Sequence, residues 1–309
     1  MRAHTLDKRD IDILRVLFQD CRTSYRSIGL IIGLSTNAVK TRINRLISNG
    51  IIREFVTSIN IAVFGYSKVC HLTVRDGKSK EETLSRIKLF GRLLFEMDCV
   101  GGLSIFGIAI KKDEEEKIQL LPEAIKPAFV HNCVLGQYSS VGNELKETDY
   151  KIIKCLMSNP RMEIFEIARR ISVSSKTVSG RLARLKEKRM LKFFVSTDPE
   201  KMQGYVRFGM IIKLERKTHH KSIRQIQEVL DKNFDIAFPI ITQEDMISCQ
   251  LVARSLFEID PALKKIESLE GVKGAEVFIP SRIKFHQDWI QREIDHRASS
   301  MERIVSILR

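Results

Sequence analysis

The strongest constraint on the fold is an internal repeat: about sixty residues near the start align without a gap to a later segment, at a constant shift of 139 positions. The matched pairs include Leu6 with Leu145, Asp10 with Asp149, Arg22 with Arg161, Ser35 with Ser174, Val39 with Val178, Arg42 with Arg181, Arg45 with Arg184 and Gly65-Tyr66 with Gly204-Tyr205. A gapless register of this length means that one fold occurs twice in the chain.

Each copy begins with a helical pattern. In the first copy, apolar residues at 3.6-residue spacing predict helices over residues 7–19, 25–32 and 36–48, with Ser24 and Ser35 as N-caps. The alternating stretch 51–59 then predicts a two-stranded wing. The pattern indicates a winged helix-turn-helix domain over residues 1–62 and another over residues 145–201, which we call the first and second heads.

A βαββαβ pattern follows each head. In the first copy it comprises residues 68–75, 81–93, 94–99, 103–111, 113–125 and 129–138. In the second it comprises residues 207–214, 221–231, 236–241, 246–253, 260–269 and 275–279. This order predicts ferredoxin-like domains over residues 63–144 and 202–284, each with a sheet face and edge that need a partner.

Residues 285–309 form an amphipathic pattern that predicts a C-terminal helix. We expect it to pack on its own chain, with pairing to another chain as the alternative. The predicted fold class is therefore α+β: two winged helix-turn-helix domains alternate with two βαββαβ ferredoxin-like domains, followed by a C-terminal α-helix.

The positive charge is concentrated in the heads. The chain has a formal net charge of +14, and residues 1–60 carry ten Lys or Arg against five Asp or Glu. Residues 145–200 carry thirteen against seven. This concentration favours a polyanionic partner bound by both heads.

Cysteine and histidine patterns give no basis for a metal site. The six cysteines are scattered without a CxxC pair, and the seven histidines lack a complementary ligand spacing. Reduced cysteines without a signal peptide favour the cytoplasm, and no apolar run reaches the ~18 residues that a membrane span needs. No cofactor is predicted, and the motifs of common catalytic sites are absent from the sequence.

The third helix of the first copy combines a packing face with a polar face. Residues 35–50 contain no Asp or Glu, whereas solvated helices generally mix both signs of charge. Asparagine, lysine and threonine are suited to base edges in the major groove. We predict that Asn37, Lys40, Thr41 and Asn44 read bases in double-stranded DNA.

Serines and arginines beside this face are predicted to contact phosphates. They are Ser35, Arg42 and Arg45 in the first copy and Ser174, Arg181 and Arg184 in the second. For the arginines, pairing with a carboxylate inside the domain is the alternative.

The second copy keeps only part of the polar face. Lys176 and Ser179 align with Asn37 and Lys40 and are predicted to contact bases, but Gly180 and Ala183 replace Thr41 and Asn44. The hypothesis that follows is an asymmetric operator, in which the first head specifies sequence and the second supplies affinity.

Both repeats resemble the Lrp/AsnC, or feast/famine, family of prokaryotic transcription regulators. The resemblance is carried by LDKRDIDILRVLFQDCR and GLSTNAVKTRINRLISNGII in the first copy, and by ETDYKIIKCLMSNPR and SVSSKTVSGRLARLKEKRML in the second. It implies a cytoplasmic, nucleoid-associated regulator of transcription. Because family members commonly carry one repeat and dimerise, it also implies an intrachain pseudo-dimer, with a homodimer or higher homo-oligomer as a further state.

The resemblance also implies a small-molecule effector of unknown identity at the turn between the second and third strands of each ferredoxin-like domain. The corresponding residues are Gly101, Gly102 and Ser104 in the first copy and Thr242 and Asp245 in the second. The first turn lacks the family's acidic residue, and the second lacks its glycine.

Two other functions remain open. A chain with two DNA-binding heads could bridge DNA with little sequence preference. Sirohaem decarboxylases share the two-domain plan and are sometimes fused in tandem, but they depend on histidines, and those of this chain form no matching motif.

Overall fold

A computed structural model describes residues 5–75, 80–126, 129–137, 145–215, 220–242 and 246–307. The first head consists of helices α1 (Lys8–Gln19), α2 (Tyr25–Ile32) and α3 (Thr36–Ser48). Side chains of Asp7, Ser24 and Ser35 cap their N-termini, as oxygen acceptors commonly do. The helices enclose a core that includes Leu14, Leu17, Ile28, Val39, Ile43 and Leu46. The predicted helices of the first head are confirmed.

The first ferredoxin-like domain follows strand β1 (Ile52–Ile59). Its elements are β2 (Tyr66–Arg75), α4 (Lys80–Ile87), β3 (Arg92–Cys99), β4 (Leu103–Lys111), a 3₁₀ stretch (Lys112–Leu120) with the short helix α5 (Leu121–Ala124), and β5 (Phe129–Gln137). Helix α4 ends earlier than predicted, and at Gly91 the chain passes close to β4: a Cβ on Gly91 would lie 2.4 Å from the Ala109 carbonyl oxygen.

The second head repeats the first. It consists of α6 (Glu147–Ser158), α7 (Ile164–Arg170) and α8 (Ser175–Glu187), followed by strand β6 (Leu191–Thr197). Helix α8 buries Val178, Leu182 and Leu185, which align with Val39, Ile43 and Leu46 of α3. The two heads therefore have the same packing pattern.

The predicted two-stranded wing within residues 51–59 is wrong. Those residues form the single strand β1, which pairs antiparallel with β6 of the other copy. The run contains no turn that would fold it back as a hairpin, so its hydrogen-bonding partner comes from the second repeat. Phe55 pairs with Val195 and Val56 with Phe194, and Phe55 and Phe194 are equivalent positions of the repeat. The pairing thus has the two-fold symmetry of an isologous contact.

The second ferredoxin-like domain contains β7 (Val206–Leu214), α9 (His220–Asn233), β8 (Ile236–Thr242), β9 (Met246–Ala253), α10 (Ile259–Glu267) and β10 (Val272–Phe278). Its sheet has the order β10-β7-β9-β8. The first domain has the equivalent order β5-β2-β4-β3, extended at the β3 edge by β11 (Pro280–Phe285). The sequence boundary at residue 284 assigned β11 to the second domain, whereas its hydrogen bonds place it in the sheet of the first.

The two ferredoxin-like sheets pack against each other. Met97, Cys99 and Ile105 of the first sheet form one buried cluster with Ile211, Met246 and Phe278 of the second. This contact covers the sheet faces that the sequence left without a partner.

The C-terminal helix α11 (Asp288–Ile307) packs on its own chain. Trp289 is buried between the rings of Phe64 and Tyr66, and its indole nitrogen donates to the Leu93 carbonyl at 2.9 Å. Lys154 of α6 forms an ion pair with Asp295 at 2.7 Å. For the part whose side chains are described, the expectation of intrachain packing is confirmed, and α11 joins the second head to the first ferredoxin-like domain.

Candidate nucleic-acid interface

Helix α3 presents its four predicted base-reading residues to solvent. Asn37, Lys40, Thr41 and Asn44 are all exposed, whereas Val39, Ile43 and Leu46 on the opposite face are fully buried. The four side chains occur at positions 37, 40, 41 and 44, a spacing that keeps them on one face of the helix. Helix α3 can therefore offer amide, ammonium and hydroxyl groups to a groove without losing its packing, and base contact by these residues stays a prediction.

The predicted phosphate-binding serines have a defined structural role. Ser35 Oγ accepts a hydrogen bond from the Ala38 backbone N–H at 3.2 Å, and Ser174 Oγ accepts one from the Thr177 N–H at 3.0 Å. Both hydroxyls therefore cap the helices that carry the reading faces. Phosphate contact by either serine stays a prediction.

Arg42 and Arg45 form ion pairs with carboxylates inside the first head. Arg42 Nη1 lies 2.8 Å from Asp10 Oδ1 and 2.7 Å from Asp7 Oδ2, and Arg45 Nη2 lies 3.1 Å from Asp10 Oδ2. Asp10 is fully buried, while Arg42 and Arg45 keep 25% and 40% of their side chains exposed. Both arginines thus pair with a carboxylate inside the domain, which was the alternative to phosphate contact. Phosphate contact by their exposed parts stays a prediction.

Electrostatics reinforce this pairing. Burial alone would raise the pKa of Asp7, but hydrogen bonds from Arg42 and the backbone lower it below its usual value. Burial alone would lower the pKa of Arg42, but hydrogen bonds to Asp7 and Asp10 raise it. Both groups therefore stay charged, and α3 is fixed to the start of α1.

Asp10 and Asp149 were not recognised as site residues from the sequence, although they align between the repeats. In the second head Arg181 Nη1 lies 3.0 Å from both carboxylate oxygens of Asp149, which is almost fully buried. The sequence did contain a signal for this pairing: both copies have an Asp in the first helix and an Arg in the third. These two carboxylates join the third helix of each head to its first helix.

Helix α8 exposes fewer polar side chains than α3 at the aligned positions. Lys176 and Ser179 are exposed, as are Gly180 and Ala183, and Arg184 is half-buried. No atom lies within 4 Å of the position that a Cβ on Gly180 would take. The face is accessible, but it offers fewer hydrogen-bonding groups than that of α3.

The predicted effector residues lie on the β3–β4 turn and at its counterpart. Gly101 and Gly102 have φ of +85° and +74°, and Arg75 Nη1 donates to the Gly101 carbonyl at 2.6 Å. Ser104 is buried in β4. Thr242 ends β8, and Asp245 lies outside the described residues. Effector binding at these turns stays a prediction.

The heads are joined by reciprocal arginine contacts. Arg22 of the first head donates to the carbonyls of Pro160 and Met162 in the second, the latter at 2.9 Å. Its equivalent Arg161 donates to the carbonyls of Cys21 and Thr23 in the first. Together with the β1–β6 pairing, these contacts hold α3 and α8 in a fixed relation.

The described residues contain no group of three or more His, Cys, Asp or Glu side chains placed to bind a metal ion. The same residues include no helix that is both long and apolar enough to span a membrane.

Comparison with known proteins assigns the family. A family model described as winged helix-turn-helix DNA-binding matches residues 6–53 and again residues 145–192. The HTH-type transcriptional regulator Ptr1 of Methanocaldococcus jannaschii is 37% identical over 130 residues, which cover 41% of this chain and 88% of Ptr1. This chain belongs to the Lrp/AsnC family of transcription regulators. Its two matched segments are the DNA-binding heads described above.

Other Lrp/AsnC proteins match about one repeat each. LrpA of Pyrococcus abyssi is 41% identical over 122 residues, covering 39% of this chain and 86% of LrpA. The regulatory protein AsnC of Haemophilus influenzae is 28% identical over 105 residues, covering 33% of this chain and 70% of AsnC. The chain thus contains a tandem form of the family's architecture.

A solved structure shares the tandem arrangement. The sirohaem decarboxylase NirDL is 16% identical, covers 96% of this chain and all of its own length, and superposes with a TM-score of 0.52. At this identity the likeness concerns the fold alone. The predicted fold class, with two heads and two ferredoxin-like domains, is confirmed.

Proposed function

We propose that the chain is a sequence-specific DNA-binding transcription regulator that acts as a single-chain pseudo-dimer, with both heads on one duplex. The observation that carries the proposal is the two-fold pairing of β1 with β6, which relates two heads whose reading faces are both exposed. Dimeric helix-turn-helix proteins place two such helices on half-sites about one helical turn, ~34 Å, or a multiple apart. One chain contains the equivalent of both subunits.

The two heads differ in what they can recognise. Thr41 and Asn44 of α3 are replaced by Gly180 and Ala183 in α8, so the second head has lost two side chains that could pair with base edges. Both heads keep an arginine linked to a buried aspartate. We infer that the first head specifies sequence and that the second contributes affinity through the phosphate backbone.

A base-substitution scan of each half-site tests this asymmetry. We expect substitutions in the half-site of the first head to weaken binding strongly and those in the other half-site to have little effect. Equal sensitivity in both halves would contradict the proposal.

One substitution in each head provides a contrasting pair of variants. Asn44→Ala gives the first head the residue of the second, and we expect it to cost about 1–3 kcal/mol at one base position. Arg184→Ala is the contrast: it should weaken binding to all sequences alike and reduce the salt dependence. Competition binding at several salt concentrations measures both quantities.

A catalytic alternative is suggested by the shared fold with NirDL. The three histidines with described side chains lie on separate parts of the chain: His71 in β2, His286 after β11 and His296 in α11. Burial lowers the pKa of His71 to about 4, so it is neutral near pH 7. We propose that the chain has no decarboxylase activity. A visible absorption band on titration with an iron tetrapyrrole would favour the alternative.

Architectural bridging of DNA is the remaining alternative. It predicts a ratio of specific to non-specific affinity near one, whereas sequence-specific regulators bind their sites about 10³-fold or more tightly than other DNA. Genome-wide occupancy followed by affinity measurements on the recovered sites separates the two functions.

A further inference from the structure

The two repeats end their helices with the same backbone conformation but with different residues. In the first head Gly33 and Gly50 have φ of +70°. At the equivalent positions of the second head Ser172 has φ of +55° and Arg189 has φ of +53°. Glycine adopts this left-handed conformation without steric penalty, whereas residues with a Cβ are disfavoured in it. The second head therefore retains two unfavourable residues at helix ends.

The hydrogen bonds show that Gly50 and Arg189 occupy the same motif. Gly50 N donates to Ile47 O and Ile51 N to Leu46 O, each at 2.9 Å. Arg189 N donates to Lys186 O and Met190 N to Leu185 O, also at 2.9 Å. This is the helix-ending arrangement in which glycine is the usual residue. Arg189 is therefore a charged residue at a position where glycine is usual.

The C-terminal end of α8 carries more positive charge than the C-terminal end of α3. Residues 186–189 are Lys-Glu-Lys-Arg, whereas the aligned residues 47–50 are Ile-Ser-Asn-Gly. Arg189 is exposed, and within the described part of the chain its side chain makes no hydrogen bond or ion pair. The guanidinium is thus available to an external anion.

This end of α8 lies where the second head meets the first repeat. Lys186 forms an ion pair with Asp20 of the first head, and the Met190 carbonyl accepts a hydrogen bond from the Asn60 N–H at 2.8 Å. The β1–β6 pair, through which the two-fold relation of the heads passes, lies at the same junction. Arg189 is next to Met190 in the chain and therefore lies beside the junction between the two heads.

We propose that Arg189 binds a DNA phosphate near the centre of the operator and gives the second head a contact that the first head lacks. This inference rests on the proposed binding of both heads to one duplex. A charge at the helix C-terminus also interacts favourably with the helix dipole, but that effect is small for an exposed side chain and gives no reason to avoid glycine. A phosphate contact explains both the charge and the retained conformation.

Replacing Arg189 by glycine separates stability from binding. Arg189→Gly removes the unfavourable conformation together with the charge, so we expect Tm to rise by about 2–4 °C. Affinity for a fluorescent mixed-sequence duplex about four helical turns long should fall about five- to tenfold at 0.1 M salt. The slope of log K against log salt should decrease in magnitude by about 0.9, as for the loss of one phosphate contact.

Ser172→Gly is the matched control. It relieves the same conformation at the other helix end without changing charge, so it should raise Tm similarly and leave affinity and salt slope unchanged. Arg189→Lys should keep most of the affinity because it retains the positive charge. Unchanged affinity and slope in Arg189→Gly, with wild-type protein binding the duplex normally, would overturn the inference.

A gain-of-function variant tests the same contact in the first head. No atom lies within 4 Å of the position that a Cβ on Gly50 would take, so Gly50→Arg has room for its side chain. We expect a lower Tm and a salt slope steeper by about 0.9. If only one head of the wild-type protein contacts DNA, affinity will not depend on the spacing between the half-sites, and the proposed pseudo-dimer is then wrong. A failure confined to Arg189→Gly leaves the pseudo-dimer intact.

Discussion

At the residue scale, Asp10 connects the first helix to the reading helix. Its carboxylate is fully buried and accepts hydrogen bonds from Arg42, Arg45 and the backbone N–H of Asp7. Removing its charge would leave Arg45 without its carboxylate partner and Arg42 with the half-exposed Asp7 alone. We expect Asp10→Asn to lower the free energy of unfolding by about 3–5 kcal/mol, the usual cost of breaking a buried ion pair.

Urea denaturation followed by circular dichroism measures this loss, with Asp7→Asn as the control. The Asp7 side chain is 50% exposed, so its replacement should cost about 1 kcal/mol or less. If both variants lose a similarly small amount of unfolding free energy, the buried Asp10 carboxylate contributes no more to stability than the half-exposed Asp7.

These arginines also show why part of the site was predictable and part was not. The exposed positions of Asn37 and Lys40 followed from helical periodicity, which is a local property of the sequence. The partners of Arg42 and Arg45 come from a helix more than thirty residues earlier in the chain. Composition indicated positive charge but could not show which cations are already paired.

At the element scale, helix α11 depends on Trp289. The indole is 7% exposed, packs edge-on against Phe64 and Tyr66 with centroid distances of 6.3 and 5.2 Å, and donates to the Leu93 carbonyl. We expect Trp289→Ala to reduce stability by about 3–5 kcal/mol, through lost burial and an unpaired carbonyl. Thermal and urea unfolding measure the change.

Arg292→Ala in the same helix is the control, because that residue is exposed and should change stability by less than about 0.5 kcal/mol. Limited proteolysis adds a local measurement: cleavage within residues 288–307 should accelerate in Trp289→Ala but not in Arg292→Ala. Equal cleavage rates would mean that α11 is held by other contacts.

Strand existence was easier to predict than strand partners. The alternation of residues 51–59 indicated β-structure, but its partner β6 lies in the other repeat. Strand β11 was missed because residues 280–285 are short and follow β10 almost directly, yet they pair with β3 of the first domain. Periodicity specifies the face that a strand buries, whereas its neighbour depends on the tertiary arrangement.

At the scale of the whole molecule, the two heads form a single unit with one spacing between α3 and α8. Strand pairing, the reciprocal contacts of Arg22 and Arg161, and the Thr57 hydroxyl bond to the Leu156 carbonyl all join the two heads. Such a connection makes binding of the second head intramolecular, which raises affinity only when both half-sites are in register. The spacing of the operator should therefore be as important as its sequence.

Inserting half a helical turn between the half-sites tests this rigidity. Because the insertion rotates one half-site to the opposite face of the duplex, we expect about a 10²-fold loss of affinity, to the level of a single half-site. The double variant Arg22→Ala, Arg161→Ala should bind the original operator more weakly but tolerate the insertion better, since its heads are less firmly joined. Electrophoretic mobility shifts with the four combinations of protein and operator measure the coupling, and wild-type protein that binds both spacings equally would show that the heads move independently.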